Sequence, residues 1–204
     1  MIRDAVAAIR DGRPVVLPTD TVYGLCADPY REAPARELYR MKGTPPEQPM
    51  ALVARDIDFL FECVPELRGR SGVIVRALLP GPYTLVLPNP GRRYQWITGS
   101  TPDRIGVRVP ELAGPGAEVF EQVGAVVATS ANVHGGPDPR SVDEVAVELR
   151  AGAAAIVDGG ELPGTPSTVL DLTGQEPQVL REGAVPAAEA LERALAAGAS
   201  SIRG

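Results

Sequence analysis

The sequence predicts an α/β fold: one domain built on a twisted mixed sheet with helices packed against it. Three observations carry that expectation. Helical periodicity alternates with short apolar runs of strand length, yet some strands follow helices and others follow turns, which a regular doubly wound sheet would not show. The 204 residues hold 22 Gly and 21 Pro with no repeat period or low-complexity block, a composition of many structured turns rather than disorder. No linker-like stretch divides the chain, so residues 1–204 are read as one domain whose last ten or so residues form a loose tail.

The elements follow in order. Ile2, Val6 and Ile9 recur at helical spacing up to Gly12, so the chain opens on a helix, and PVVLP (14–18) is an apolar run between prolines, the pattern of a buried strand. A second helix is expected over 35–41 and a strand in MALVA (50–54). Asp56 is placed to cap a short helix through Phe61, and 73–79 reads as a helix that Pro80 and Pro82 end. YTLVLP (83–88) and IGVRVP (105–110) are strands by length and β-branched content. A helix over 116–122 precedes the strand AVVATS (125–130), and Ser141 with Glu144 has the spacing of a capping box for a helix through Arg150. AAIVD (154–158), STVLDL (167–172) and QVLRE (178–182) complete the strands, and Pro186 opens a final Ala-rich helix.

Composition narrows the function. A formal charge of −6 argues against an extended nucleic-acid surface, because neutralising phosphates takes clustered Lys and Arg; direct tRNA binding is therefore not expected, while a local basic pocket stays open. Cys26 and Cys63 lack CxxC spacing and no signal-peptide pattern is present, which reads as a reduced, cytoplasmic protein. No apolar run approaches membrane-spanning length. His134 is the one histidine and lies in the glycine-rich loop NVHGGPDP, so a His-rich metal cage is excluded and a surface role expected. Neither a GxxxxGK[ST] loop nor a strand-borne GxGxxG occurs, so any phosphate is held by another device.

Three strands empty into loops of small hydroxyl residues: VVLP into TDT, VVA into TSAN, and GTP into STVLDL. Such loops offer hydroxyl and backbone N–H donors without bulk, which suits carboxylates and phosphates, although turn chemistry accounts for each loop taken alone. Lys42, before the proline-rich turn GTPPEQP, reads by itself as solvated surface. Arg108 differs, because a guanidinium in the apolar strand IGVRVP must find a partner or a wet cavity; an anion-facing role is ranked ahead of a structural ion pair. Arg181, in QVLREG, carries the same argument more weakly.

Taken together these segments resemble the YrdC-like family, the L-threonylcarbamoyladenylate synthases, across nearly the whole chain. LPTDTVYGLC is similar to PT[DE]TVYGLG with Cys26 in place of the last glycine; Lys42 opens a match to KxRPxxxP; PGPYT (80–84) matches PGPxT; and GVRVP matches [VA]xRxP. Ser130–Asn132, Ser167 with Thr168, and LREG (180–183) match SAN, ST and LRxG, and seven matches in the right order are specific where one is not. The resemblance implies the YrdC-like fold and the joining of L-threonine, bicarbonate and ATP into threonylcarbamoyl-AMP with release of pyrophosphate. That product feeds threonylcarbamoyladenosine at position 37 of tRNA, and downstream transferase proteins pass the group on. It implies the short single-domain form.

By the same resemblance Thr21, Arg108 and Ser167 face threonine, while Lys42, Ser130, Asn132 and Arg181 hold the nucleotide. Thr19 and Asp20 shape the strand end, and Tyr23 with Gly24 floors the pocket. Magnesium is expected on the triphosphate, carried by ATP, with no protein-bound metal. Two departures matter. The family's arginine two residues after the lysine is Thr44 here, with Arg104 as a replacement cation on the Arg108 face, and His134 stands where serine is common, a change with no physical account. The missing arginine also keeps open a non-catalytic or weakly active paralogue that binds RNA or nucleotide. Carbamoyl-transferase modules of the same family, which sit in much longer chains, are a further alternative.

Overall fold

The computed structural model describes residues 1–200. Its strands are β1 (Val15–Pro18), β2 (Tyr23–Ala27), β3 (Ala51–Ala54), β4 (Tyr83–Pro88), β5 (Arg104–Arg108), β6 (Ala125–Ser130), β7 (Ala155–Ile156), β8 (Thr168–Asp171) and β9 (Gln178–Arg181). They form one mixed sheet in the order β7-β1-β2-β6-β3-β5-β4-β8-β9. Pairs β1–β7, β3–β5 and β4–β8 are parallel and the rest antiparallel. The helices are α1 (Ile2–Arg10), α2 (Glu32–Lys42), α3 (Ile57–Cys63), α4 (Arg70–Leu78), α5 (Gly114–Val123), α6 (Val147–Gly152) and α7 (Ala187–Ser200).

Alternation along the strands gives the sheet two unlike faces. Leu25, Leu52, Leu85, Val107, Val127 and Leu170 pack on one side against apolar residues of α2, α3, α4 and α7, which form the main core. On the other side Leu17, Cys26, Val53 and Val126 are covered by α1 and α5. That cover ends at β3. From there to β9 the same face carries Gly106, Thr84, Val86 and Val169, half-buried and small or β-branched, and the polar site residues lie here.

Local chemistry explains the ends. Asp56 caps α3 by accepting from the Phe59 amide at 2.6 Å. Gly43 takes the left-handed conformation that stops α2, φ 67°, which leaves Lys42 in the last turn.

The structure departs from the sequence reading in places. YGLCA is a strand, β2, buried along its whole length; its Gly, Cys and flanking Asp lack strand propensity, and central position overrides that. The Ser141–Glu144 capping box does not form: Ser141 makes no side-chain cap and Glu144 accepts from the Arg140 amide instead, at 2.8 Å. Only a short 3-10 turn follows, and α6 begins at Val147. Strand 105–110 ends at Arg108, and 154–158 contributes two residues. Helix α7 runs to Ser200, so 195–200 are helical rather than loose, and 201–204 lie outside the described residues. No helix among the described residues is long and apolar enough to cross a membrane.

Candidate functional site

Polar residues of the open face fall into three groups. The first is built on the turn between β1 and β2. Thr19 Oγ1 donates to the Val22 carbonyl at 2.7 Å and accepts from the amides of Thr21 and Val22, which folds the TDT segment back on itself. This aims Asp20 and Thr21 at Arg108, whose Nη2 donates to a carboxylate oxygen of Asp20 and to Thr21 Oγ1 at 2.7 Å. The other Asp20 oxygen accepts from the Glu111 amide at 3.1 Å. Arg108 is 8% exposed. Burial pulls its pKa down, Asp20 opposes that shift and Arg181 adds to it, so the two guanidinium groups sense each other across the face. Arg108 thus makes the structural ion pair that the sequence reading ranked second. Its Nε is buried without a partner, so part of its donor set remains unspent.

The second group surrounds the end of β6. Lys42 reaches round from α2 and its Nζ donates to the Ser130 carbonyl at 2.7 Å, the Asn132 carbonyl at 2.8 Å and Asn132 Oδ1. Ser130 Oγ donates to Asn132 Oδ1 at 2.7 Å, and the Asn132 amide donates to the Gly136 carbonyl. Lys42, which taken alone reads as solvated surface, is buried, and burial lowers its pKa to about 8 despite the opposing charge of Asp138. Pairing of Gly24 with Ser130 sets this group beside the first.

The third group joins β4, β8 and β9. Arg181 donates through Nε and Nη2 to the Ser167 carbonyl at 3.2 and 2.8 Å, and through Nη2 to Ser167 Oγ at 3.3 Å. Ser167 Oγ lies 2.8 Å from Thr84 Oγ1. Gly183 makes the approach possible, because a Cβ there would overlap the Pro166 carbonyl. Register ties the groups together: Leu85 pairs with Val107, so the next step sets Thr84 opposite Arg108, while Thr84 pairs with Val169 and Val169 with Arg181. Arg108, Thr84, Val169 and Arg181 thus form one row across four strands.

Two expected placements fail. Tyr23 does not floor the pocket; in β2 it points to the opposite face, where its hydroxyl donates to Asp158 Oδ1 and the Gly160 carbonyl and accepts from the Gly159 amide. Gly24 alone of that pair lies on the site face. Arg104 is on the Arg108 face, but its guanidinium is engaged by Asp171 at 2.9 Å, strands away from Lys42, and so does not replace the cation missing at Thr44. Thr44 itself is buried and its hydroxyl has no partner. Exposed His134 agrees with a surface role. Sequence reasoning missed the contact between Gly164 and the Thr21 carbonyl at 2.9 Å, which lays segment 158–166 against the TDT turn; only long-range pairing reveals it. A hollow of about 650 Å³ between α3, α4 and α5 gathers none of the expected site residues; two of its carboxylates, Asp56 and Asp58, are paired with Arg55 and Arg76.

Known proteins resemble this chain over most of its length. The family model Sua5/YciO/YrdC, described as "Telomere recombination", matches residues 7–183. The chain is 36% identical over 191 residues to a threonylcarbamoyl-AMP synthase of Pyrococcus abyssi, covering 92% of this chain and 55% of that one. It is 34% identical over 188 residues to a threonylcarbamoyl-AMP synthase of Pseudomonas savastanoi pv. phaseolicola, covering 89% and 97%. A crystal structure of P. abyssi Sua5 complexed with L-threonine superposes with a TM-score of 0.83 at 34% identity, covering 94% of this chain and 56% of that one. The chain therefore spans about half the length of the Pyrococcus relative and nearly all of the Pseudomonas one.

Proposed function

The chain belongs to the Sua5/YciO/YrdC family, and from that membership we propose that it makes L-threonylcarbamoyladenylate from L-threonine, bicarbonate and ATP, releasing pyrophosphate. The observation that carries the reading is Arg108: a guanidinium almost wholly buried at the TDT turn, satisfied on Nη2 by Asp20 and Thr21 but unpartnered at Nε. A buried cation that keeps a free donor is suited to an anionic oxygen of a ligand. The relatives named threonylcarbamoyl-AMP synthase and the L-threonine complex of the Pyrococcus protein support the same assignment.

In this reading Thr21, Arg108 and Ser167 take the amino acid, and Lys42, Ser130, Asn132 and Arg181 take the nucleotide. The threonine amine, once deprotonated, adds to CO2, or to bicarbonate with loss of water, and the oxygen of the resulting carbamate displaces pyrophosphate at the α-phosphorus of ATP. Such a displacement depends on positioning and charge neutralisation more than on acid–base groups, and this face supplies cations and hydroxyls. Magnesium belongs to the substrate, as counter-ion of the triphosphate. Among the described residues no group of three or more His, Cys, Asp or Glu side chains could hold a metal ion. The product would pass to transferase proteins that modify tRNA, and a cytoplasmic location belongs to the same proposal.

The test is incubation with ATP, bicarbonate and single amino acids, with pyrophosphate as readout. If the pocket reads the hydroxyl, threonine leads, serine follows with the loss of one methyl contact worth roughly 1 kcal/mol, and valine trails by about 1–3 kcal/mol. Equal kcat/KM for threonine and valine would mean the hydroxyl is not read; pyrophosphate released without any amino acid would refute the synthase. One observation favours a second reading, a weakly active nucleotide- or RNA-binding paralogue: Thr44 stands at the family's arginine, and Arg104, held by Asp171, does not restore that charge. ATP binding without pyrophosphate release would select it.

A further inference from the structure

The PGPYT segment has a place in the family pattern but no role in the reading above. Its backbone is tied on both sides: the Gly81 amide donates to the Val109 carbonyl at 3.0 Å, just past Arg108, and the Pro82 carbonyl accepts from the Thr168 amide at 3.0 Å, just past Ser167. Clamped between the ends of β5 and β8, the segment delivers one side chain to the open face, Thr84, which stands beside Arg108 in the row that ends at Arg181.

The proton inventory of that row is restrictive. Arg181 can only donate, so Ser167 Oγ accepts from it at 3.3 Å. The 2.8 Å bond between Thr84 and Ser167 consumes one of the two hydroxyl protons the pair owns. If Thr84 is the donor, both acceptor positions of Ser167 are filled and its own proton must point elsewhere; if Ser167 is the donor, the Thr84 proton is the one released. Either way one O–H is left over, on a face flanked by two guanidinium groups. The atom that meets it must be an acceptor, and among cations an anionic oxygen is favoured over an amine.

We infer that Thr84 is a positioning residue for the amino-acid substrate: by bonding Ser167 it fixes one hydroxyl proton between Arg108 and Arg181, where it meets the α-carboxylate. The inference rests on the proposed synthase reading, and binding measurements separate the two. Thr84→Val keeps shape and β-branching, so β4 keeps its packing, but it removes the hydroxyl and frees Ser167 to turn. L-threonine binding, measured by calorimetry without ATP or bicarbonate, should weaken about tenfold in Thr84→Val and return to near the wild-type value in Thr84→Ser. Binding of a non-hydrolysable ATP analogue should be unchanged in both, and a merely structural defect would lower the two together. The wild type should also prefer L-threonine to L-threoninamide, and Thr84→Val should lose most of that preference. If Thr84→Val does not fold, Thr84→Ala takes its place in the same comparison. Threonine bound equally by wild type and Thr84→Val would overturn the inference while leaving the synthase reading intact. A wild type that binds no L-threonine would refute the synthase reading and the inference with it.

Discussion

Two buried cations border the open face, and their partners differ. Arg108 faces the carboxylate of Asp20, whereas Lys42 is held by neutral oxygens of Ser130 and Asn132. Both lose hydration, and in both burial lowers the pKa. Arg108 recovers part of the loss by ion pairing and keeps its charge in all ordinary conditions. Lys42 bonds only to neutral oxygens and the charge of Asp138 offsets the burial only in part, so its pKa falls to about 8. A fixed guanidinium already wedded to an acid suits orientation of a small ligand; a loosely balanced ammonium suits a polyanion that arrives with its own negative charge.

The largest effect should come from breaking the paired end. Arg108→Met leaves Asp20, itself shielded, without its cation, and removing one partner of a buried pair costs about 3–5 kcal/mol of folding stability. Denaturant unfolding measures it. The double variant with Asp20→Asn should recover part of that loss, since no buried charge is then stranded. If Arg108→Met is as stable as the wild type, the pair is solvated and the contrast with Lys42 collapses.

At the neutral-oxygen end the expected order is reversed: ligand binding suffers and the fold does not. Lys42→Ala should lower ATP affinity about tenfold to a hundredfold, the value of a charge-assisted hydrogen bond of roughly 1.5–3 kcal/mol. Thr44 supplies no second cation to share the load. Threonine binding should be little altered. Unchanged ATP affinity would make Lys42 a brace for the Ser130–Asn132 loop and nothing more.

The same contrast marks what was legible in the sequence. Arg108 announces itself because a charge in an apolar strand has to be accounted for, and its strand and the runs at 83–88 and 125–130 are found by length and β-branching. Lys42 gives no such signal: a lysine after a helix and before prolines looks solvated, and only the return of β6 beside β2 buries it. Strand β2 was hidden for a related reason. YGLCA lacks alternation because both its faces are covered, and its neighbours β1 and β6 are fixed by pairings that no local pattern encodes. The turn at Thr19–Thr21 is local chemistry; the row from Arg108 to Arg181 is topology.

The smallest effect sharpens the comparison most, because it gives one residue two opposite pH slopes. Lys42 has a folded pKa of about 8 against 10.5 unperturbed, so between those values the unfolded chain binds more protons than the folded one. The cost of burying its charge is fully present below pH 8 and fades as pH rises toward 10.5, so Lys42 makes stability rise with pH across that window. Nucleotide affinity should run the other way. Phosphate needs the charged ammonium, so affinity for ATP, measured without threonine, should hold up to about pH 8 and then fall, approaching tenfold per unit while ATP's own ionisation, with a pKa near 6, is already complete. Lys42→Arg supplies a charge that does not titrate in this range and should flatten the fall, whatever its absolute affinity. Equal slopes in wild type and Lys42→Arg would show that another group controls the pH response and that the ammonium is not what the phosphates meet.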